Sequence, residues 1–373
     1  MSKKPGESVN DEQQGALALH RSLLPMGTGR TDVMGSMTAT DAFPLPVLES
    51  SLVFSPSRDS GQGSVIRCLS YLKSMQLTAV LYSFGGSAWA QVPRLAIVEG
   101  GYADGDIEIK EVNLAEGANF NPEYLKINAQ GTVPALVDEK GHNFHLVGFT
   151  ANSRYDSSTT ATQQISKHAP KPPKTASSEH HELKKFIETV HLDSHDPNDL
   201  FILPTSEQDR KTKGEGMVGG FLKGRQDALD KYSTSAPDDV KEFLKQKQTA
   251  NKQILDFMTG SPSQEEQTKI YQKANEEWRS AGELLRGQAH HLLKKAGQGK
   301  FLGGDDEPNE ADFHFVTWLA RIASNAGASP GAPGKDILHL ISVKAEGGEI
   351  PALIGEYWDQ WRQRPSFSKV GLK

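Results

Sequence analysis

Apolar positions along this chain change their spacing several times, and each change marks an element. The run "LTAVLYSF", residues 77–84, is short, apolar and β-branched enough to predict a buried strand. "AQVPRLAIVEGGY" follows with helical spacing, and Gly100-Gly101 closes it as a short helix. In "IEIKEVNL" the alternation puts Ile107 and Ile109 on one face of a second strand. "NPEYLKIN" reads as a brief helical turn, and "VPALVD" and "HNFHLV" as two strands around the turn Glu139-Lys140-Gly141. A βαβ unit followed by a helix and a hairpin is a small α/β domain. Pro93 falls beyond the first turn of its helix, where a missing N–H removes a hydrogen bond, so this helix is expected to start late.

After Ser158 the pattern changes. "HAPKPPKTASS", His168 to Ser178, is a Pro-rich linker, and the chain beyond it is helical in spacing. Between Ser263 and Gly297, Ile270, Ala274, Trp278, Ala281, Leu285 and Leu292 form one buried stripe on a long helix. "KGEGMVGGFLKG" lacks the order of a phosphate-binding loop and reads as an interhelical loop. In "EPNEADFHFVTWLARI", Asn309 is a helix N-cap and Asp312, at the third helical position, completes a capping box ahead of a buried apolar run.

Composition adds limits. The first 74 residues carry Gly, Ser and Pro without sustained periodicity, apart from "VIRCLSYLKSM", and read as a largely disordered extension ahead of Met75, itself a candidate translation start. At 373 residues the chain exceeds what one hydrophobic core serves well, so two domains are expected. A net charge of -6 without any basic stripe argues against a nucleic-acid partner. Its single cysteine, Cys68, excludes an internal disulfide framework or CxxC pair, so any thiol chemistry needs a ligand that brings the thiol. No apolar run reaches membrane-spanning length and the N-terminus has no secretory or transit character, which predicts a cytoplasmic protein without a membrane partner. His191 and His195 are four apart but have no third ligand at suitable spacing; solvated surface histidines, and no metal, are expected.

"INAQGTVPALVDEKG" poses a local puzzle, because Pro134 cannot donate to a ladder yet stands directly before a strand. A cis Val133-Pro134 bond opens the strand and turns the preceding backbone outward, where it can pair with something else.

Four segments in order, "LYSFGGSAWAQVPRLAIVE", "NAQGTVPAL", "FLGGDDEPNEADFHFVTWLARI" and "YWDQWRQRPSFSKV", resemble a cytosolic glutathione transferase, most like the forms found in filamentous fungi. The resemblance implies a thioredoxin-like α/β N-terminal domain over 75–167, the linker 168–178, and an all-helical C-terminal domain over 179–373, assembled as a homodimer. In that family the residue before the cis-Pro, here Val133, pairs through its backbone with the cysteinyl part of glutathione. Ser87 matches the position where several classes carry a catalytic Ser or Cys, and is otherwise a helix N-cap. Tyr82 is the competing hydroxyl donor, or else a strand aromatic packed in the core; Trp89 either floors the electrophile pocket or packs. For the γ-glutamyl end of glutathione the resemblance points to Ser158 with Ser157 or Asp156, behind an apparent insertion over residues 145–156.

The activity implied is conjugation of the glutathione thiolate to a small hydrophobic electrophile, in detoxification or on a pathway intermediate. Isomerisation and peroxide reduction use the same thiolate, whereas thiol transfer through a protein cysteine is disfavoured by the absence of one from the domain. The competing reading is a binding or regulatory module of the same fold that has lost glutathione.

Overall fold

Residue pattern and backbone agree first in the sheet. A computed structural model describes residues 79–145, 160–173, 181–297 and 300–372; the extension before Met75, Cys68, and Asp156, Ser157 and Ser158 lie outside them. Strand β1 (Ala79–Ser83) pairs in parallel with β2 (Ile107–Glu111) and antiparallel with β3 (Ala135–Asp138), and β3 pairs antiparallel with β4 (Asn143–His145), giving the order β2-β1-β3-β4. The hairpin turn is held by the Asp138 carboxylate, which accepts the Lys140 and His142 N–H groups at 2.9 and 2.8 Å, and Gly141 supplies the required positive φ of 80°. Ile107 and Ile109 share a face, but only Ile107 is covered; Ile109 stands 45% exposed on the edge strand.

Helices α1 (Ala88–Glu99), α2 (Pro122–Ile127) and α3 (Ala161–His168) complete the thioredoxin-like part. Contrary to the expectation drawn from Pro93, α1 starts at Ala88 and runs through the proline. Burial explains the tolerance: Ala88, Ala90, Val92, Leu95 and Ala96 are all buried, and this outweighs the one hydrogen bond that Pro93 cannot donate. Helix α3 is capped by Thr160, whose hydroxyl accepts the Gln163 N–H at 3.3 Å.

The remainder is helical: α4 (His181–Val190), α5 (Pro197–Ile202), α6 (Glu207–Glu215), α7 (Met217–Ser235), α8 (Asp238–Thr259), α9 (Gln264–Leu284), α10 (His290–Ala296), α11 (Glu310–Asn325), α12 (Gly334–Ala345), α13 (Ala352–Arg362) and α14 (Pro365–Val370). A π-helical turn, Leu285–Ala289, joins α9 to α10, so the predicted long helix is present, with its stripe buried from Ala274 to Leu292 and Ile270 only partly covered. The glycine-rich run is not a loop. It ends α6 and begins α7, because the glycines permit backbone contact: a Cβ on Gly219 would stand 1.8 Å from the Gly214 carbonyl oxygen, and one on Gly224 would stand 2.3 Å from that of Ala115.

Helix α11 is the hub. Every residue from Ala311 to Ala320 is buried, and α1, α4 and α5 pack on it. Its predicted capping box forms: the Asn309 side chain accepts the Ala311 and Asp312 N–H groups, and Asp312 accepts the Asn309 N–H at 2.9 Å. At the C-terminal end, Arg364 on the approach to α14 meets Glu99, the last residue of α1, in a two-pronged ion pair of 2.9 and 2.6 Å, which fixes the tail against the sheet-bearing part.

Candidate functional site

The turn from β1 into α1 sets the first wall of the site. Ser87 is the N-cap of α1 in extended conformation, and its backbone N–H closes the turn onto the Phe84 carbonyl at 3.0 Å, yet its hydroxyl makes no capping bond. The Gln91 amide donates to the Gly85 carbonyl at 2.6 Å and Arg321 of α11 donates to that of Gly86, so the turn is held from both sides. A helix start presents N–H groups and a partial positive charge, and here the uncommitted hydroxyl stands among them.

The second wall is the segment before β3. Val133-Pro134 is cis, as the sequence pattern predicts. Buried amides fix the preceding backbone: Asn119 donates to the Gly131 carbonyl at 2.7 Å, and Asn128 and the Tyr124 hydroxyl donate to that of Thr132 at 2.8 and 2.5 Å. Among the described residues no group hydrogen-bonds the Val133 N–H or C=O. The segment therefore presents a short strand edge held in place by its neighbours.

These two walls and the helices enclose a cavity of about 590 Å³, lined by Ser87, Trp89 and Val133 together with His191, Phe221, Arg225, Thr317 and Arg321. Three of its wall residues keep a buried polar atom without a hydrogen-bond partner among the described residues: Gln91 Oε1, Asn119 Oδ1 and Thr317 Oγ1.

The structure thus brings Ser87, Trp89 and Val133 together and leaves Tyr82 out. Strand alternation turns the Tyr82 ring away from the cavity toward Tyr124, at 5.8 Å between centroids, with the Lys110 ammonium 5.9 Å from it. Trp89 lines the cavity and stacks on His191. Asn309 and Asp312 lie away from the cavity, as structural capping residues should.

His191 corrects the expectation of solvated histidines. It is 8% exposed, its Nε2 is 2.8 Å from His314 Nδ1, and burial pushes its pKa down to about 3, so it is neutral at ordinary pH. His195 is partly buried: its Nδ1 lies 2.9 Å from the Thr189 carbonyl, while Trp318 donates to the His195 carbonyl at 2.7 Å, which positions the α4–α5 turn. Among the described residues no group of His, Cys, Asp and Glu is placed to hold a metal ion, and no helix is long and apolar enough to cross a membrane.

On the helical side, burial and the neighbouring Asp199 push the Asp196 carboxyl up to about 7, while burial lowers the Arg225 guanidinium only to about 10, leaving it charged. Reading "KGEGMVGGFLKG", which ends at Gly224, as a loop left Arg225 without its helical context. Read as a helix, Phe221, Arg225 and Leu229 recur at every fourth position, which sets a charge on an apolar stripe. No comparable signal marks Thr317 within its apolar run.

Residues 77–147 match the family model of the glutathione S-transferase, N-terminal domain. Glutathione S-transferase Z1 of Arabidopsis thaliana is 45% identical over 58 residues, which are 16% of this chain and 25% of that relative; the chain thus spans about a quarter of the relative it matches. Among solved structures, β-etherase LigF of Sphingobium sp. strain SYK-6 is 16% identical, with 78% of this chain and 98% of that chain covered at a TM-score of 0.47. A glutathione transferase homologue from Sulfitobacter, solved with bound glutathione, is 13% identical, with 79% and 96% covered at a TM-score of 0.44.

Proposed function

We propose, from the match of residues 77–147 to the glutathione S-transferase N-terminal domain, that this chain is a glutathione transferase whose cavity binds glutathione and conjugates the thiolate to a small electrophile. The sheet-bearing part, 75–167, holds glutathione: the Val133 N–H and C=O pair with its cysteinyl backbone in strand fashion, and Ser158 with Ser157 or Asp156 holds its γ-glutamyl end. The helical part, 179–373, supplies the electrophile wall. Cytoplasmic location and a homodimer belong to the same reading, and sedimentation of the purified chain reads the assembly directly.

The observation that carries this reading is the uncommitted Ser87 hydroxyl at the N-terminus of α1, in the same cavity as the Val133 edge. A thiol near pKa 8.5 to 9 is mostly protonated at neutral pH, and a hydroxyl hydrogen bond with helix-end N–H groups favours the thiolate. Lowering that pKa by one to two units corresponds to about 1.4 to 3 kcal/mol, within what such groups supply. The Ser87 O–H donates to the sulfur; the sulfur lone pair then forms a bond to the electrophilic carbon, and the leaving group departs with its electron pair.

Turnover of an aryl chloride by Ser87→Ala tests the assignment. We expect a fall of roughly tenfold or more, with a thiolate absorbance that develops at higher pH and glutathione still bound. Turnover and thiolate titration equal to those of the unmodified chain would remove Ser87 from the mechanism.

A further inference from the structure

Arg225 of α7 lines the cavity while only 8% exposed, and among the described residues nothing accepts a hydrogen bond from its guanidinium. Its partners are rings: the guanidinium carbon lies 4.5 Å from the centroid of Phe120 and 6.0 Å from that of Phe221. Ring faces offset part of a cation's desolvation but offer no acceptor to its five N–H groups. On the neighbouring helix α8, burial first and Arg225 second hold the Lys247 ammonium down at about 7.

Of the nearby carboxyls, Asp196 is committed elsewhere: it accepts the Asn198 N–H at 2.8 Å as the N-cap of α5. The other cationic wall residue, Arg321, is engaged with the Gly86 carbonyl and lies 5.7 Å over the Phe201 ring. A buried cation with open donors facing a cavity is a site for an anion, and the planar guanidinium matches a carboxylate in two-pronged fashion. The surroundings set the rest of the ligand, since Phe221, Leu114, Phe201 and Trp89 line the cavity around it.

We propose that Arg225 anchors a carboxylate on the second substrate, so that the electrophile this cavity selects is an acid with an apolar, aromatic or aliphatic body. This rests on the reading of the cavity as a glutathione transferase site, and it narrows the substrate class from small electrophiles in general to anionic ones.

The test is calorimetric titration of the full chain, without glutathione, with chloronitrobenzoate and with its uncharged methyl ester; glutathione is titrated separately. The acid should bind roughly tenfold or more tightly than the ester, and Arg225→Gln should erase that preference while Arg225→Lys retains part of it. An ester bound as well as the acid by the unmodified chain overturns the proposal. So does an acid preference that survives Arg225→Gln, which would assign the anion to Arg321. A variant that weakens glutathione while keeping the acid preference would assign Arg225 to a glutathione carboxylate, and this too overturns it. If Arg225→Gln gives no cooperative thermal transition, Arg225→Met keeps the stem on Phe120 and replaces it. Since the acid–ester ratio is measured without glutathione, failure of glutathione binding and failure of this anchor give different results.

Discussion

The imidazole of His191 stacks on the indole of Trp89, with ring centroids 4.0 Å apart and planes 29° from parallel. One ring comes from the turn after α4 and the other from the first turn of α1, so the pair joins the helical wall to the helix that carries Ser87. His191 also meets His314 of the hub helix α11, so the contact extends into the core.

Because burial holds His191 neutral down to about pH 3, the unfolded chain binds a proton there below about pH 6.5 and the folded chain does not. The stability this residue contributes is therefore complete above that pH and is lost as the pH falls, by about 1.4 kcal/mol per pH unit. His191→Phe keeps a ring on Trp89 and removes the titration. Urea unfolding between about pH 6.5 and 4.5 should show a pH slope lower by that amount in the variant; equal slopes would mean that His191 is protonated in the folded protein.

Paired glycine substitutions test the contact between α6 and α7. Gly219→Ala puts a methyl group 1.8 Å from the Gly214 carbonyl oxygen and should cost about 3 kcal/mol or more. Gly220→Ala has nothing within 4 Å of its new atom and should stabilise by about 0.8 kcal/mol through helix propensity. Opposite signs in denaturant midpoints confirm the packing, and equal effects would reject it.

Asp312 receives three donors, from the N–H groups of Leu302 at 3.0 Å and Asn309 at 2.9 Å and the Tyr357 hydroxyl at 3.1 Å. Asp312→Asn turns an NH₂ toward donors and should destabilise by about 2 to 4 kcal/mol, read by urea unfolding. A loss below about 0.5 kcal/mol would show that the box is dispensable.

The parts legible in the sequence are those set by neighbours along the chain. The β1-α1-β2 and hairpin pattern, the stripe from Ala274 to Leu292 and the Asn309–Asp312 box follow from local spacing, and the structure has each of them. What the sequence concealed depends on distant partners. Gly219 is helical because Gly214 needs its missing Cβ, and Pro93 is tolerated because α1 is buried on α11. His191 is buried because Trp89 and His314 come from elsewhere in the chain. Arg225 was hidden by the same glycines, since a misread loop removes the periodicity that would have placed a charge on an apolar stripe.

Isothermal titration of glutathione into the full chain addresses the central claim, that the cavity between Ser87 and Val133 is a glutathione site. Saturable binding of one glutathione per chain, competed by S-hexylglutathione, is the predicted result. A folded chain that gives no saturable heat with glutathione would contradict the transferase reading and leave a binding module of the same fold.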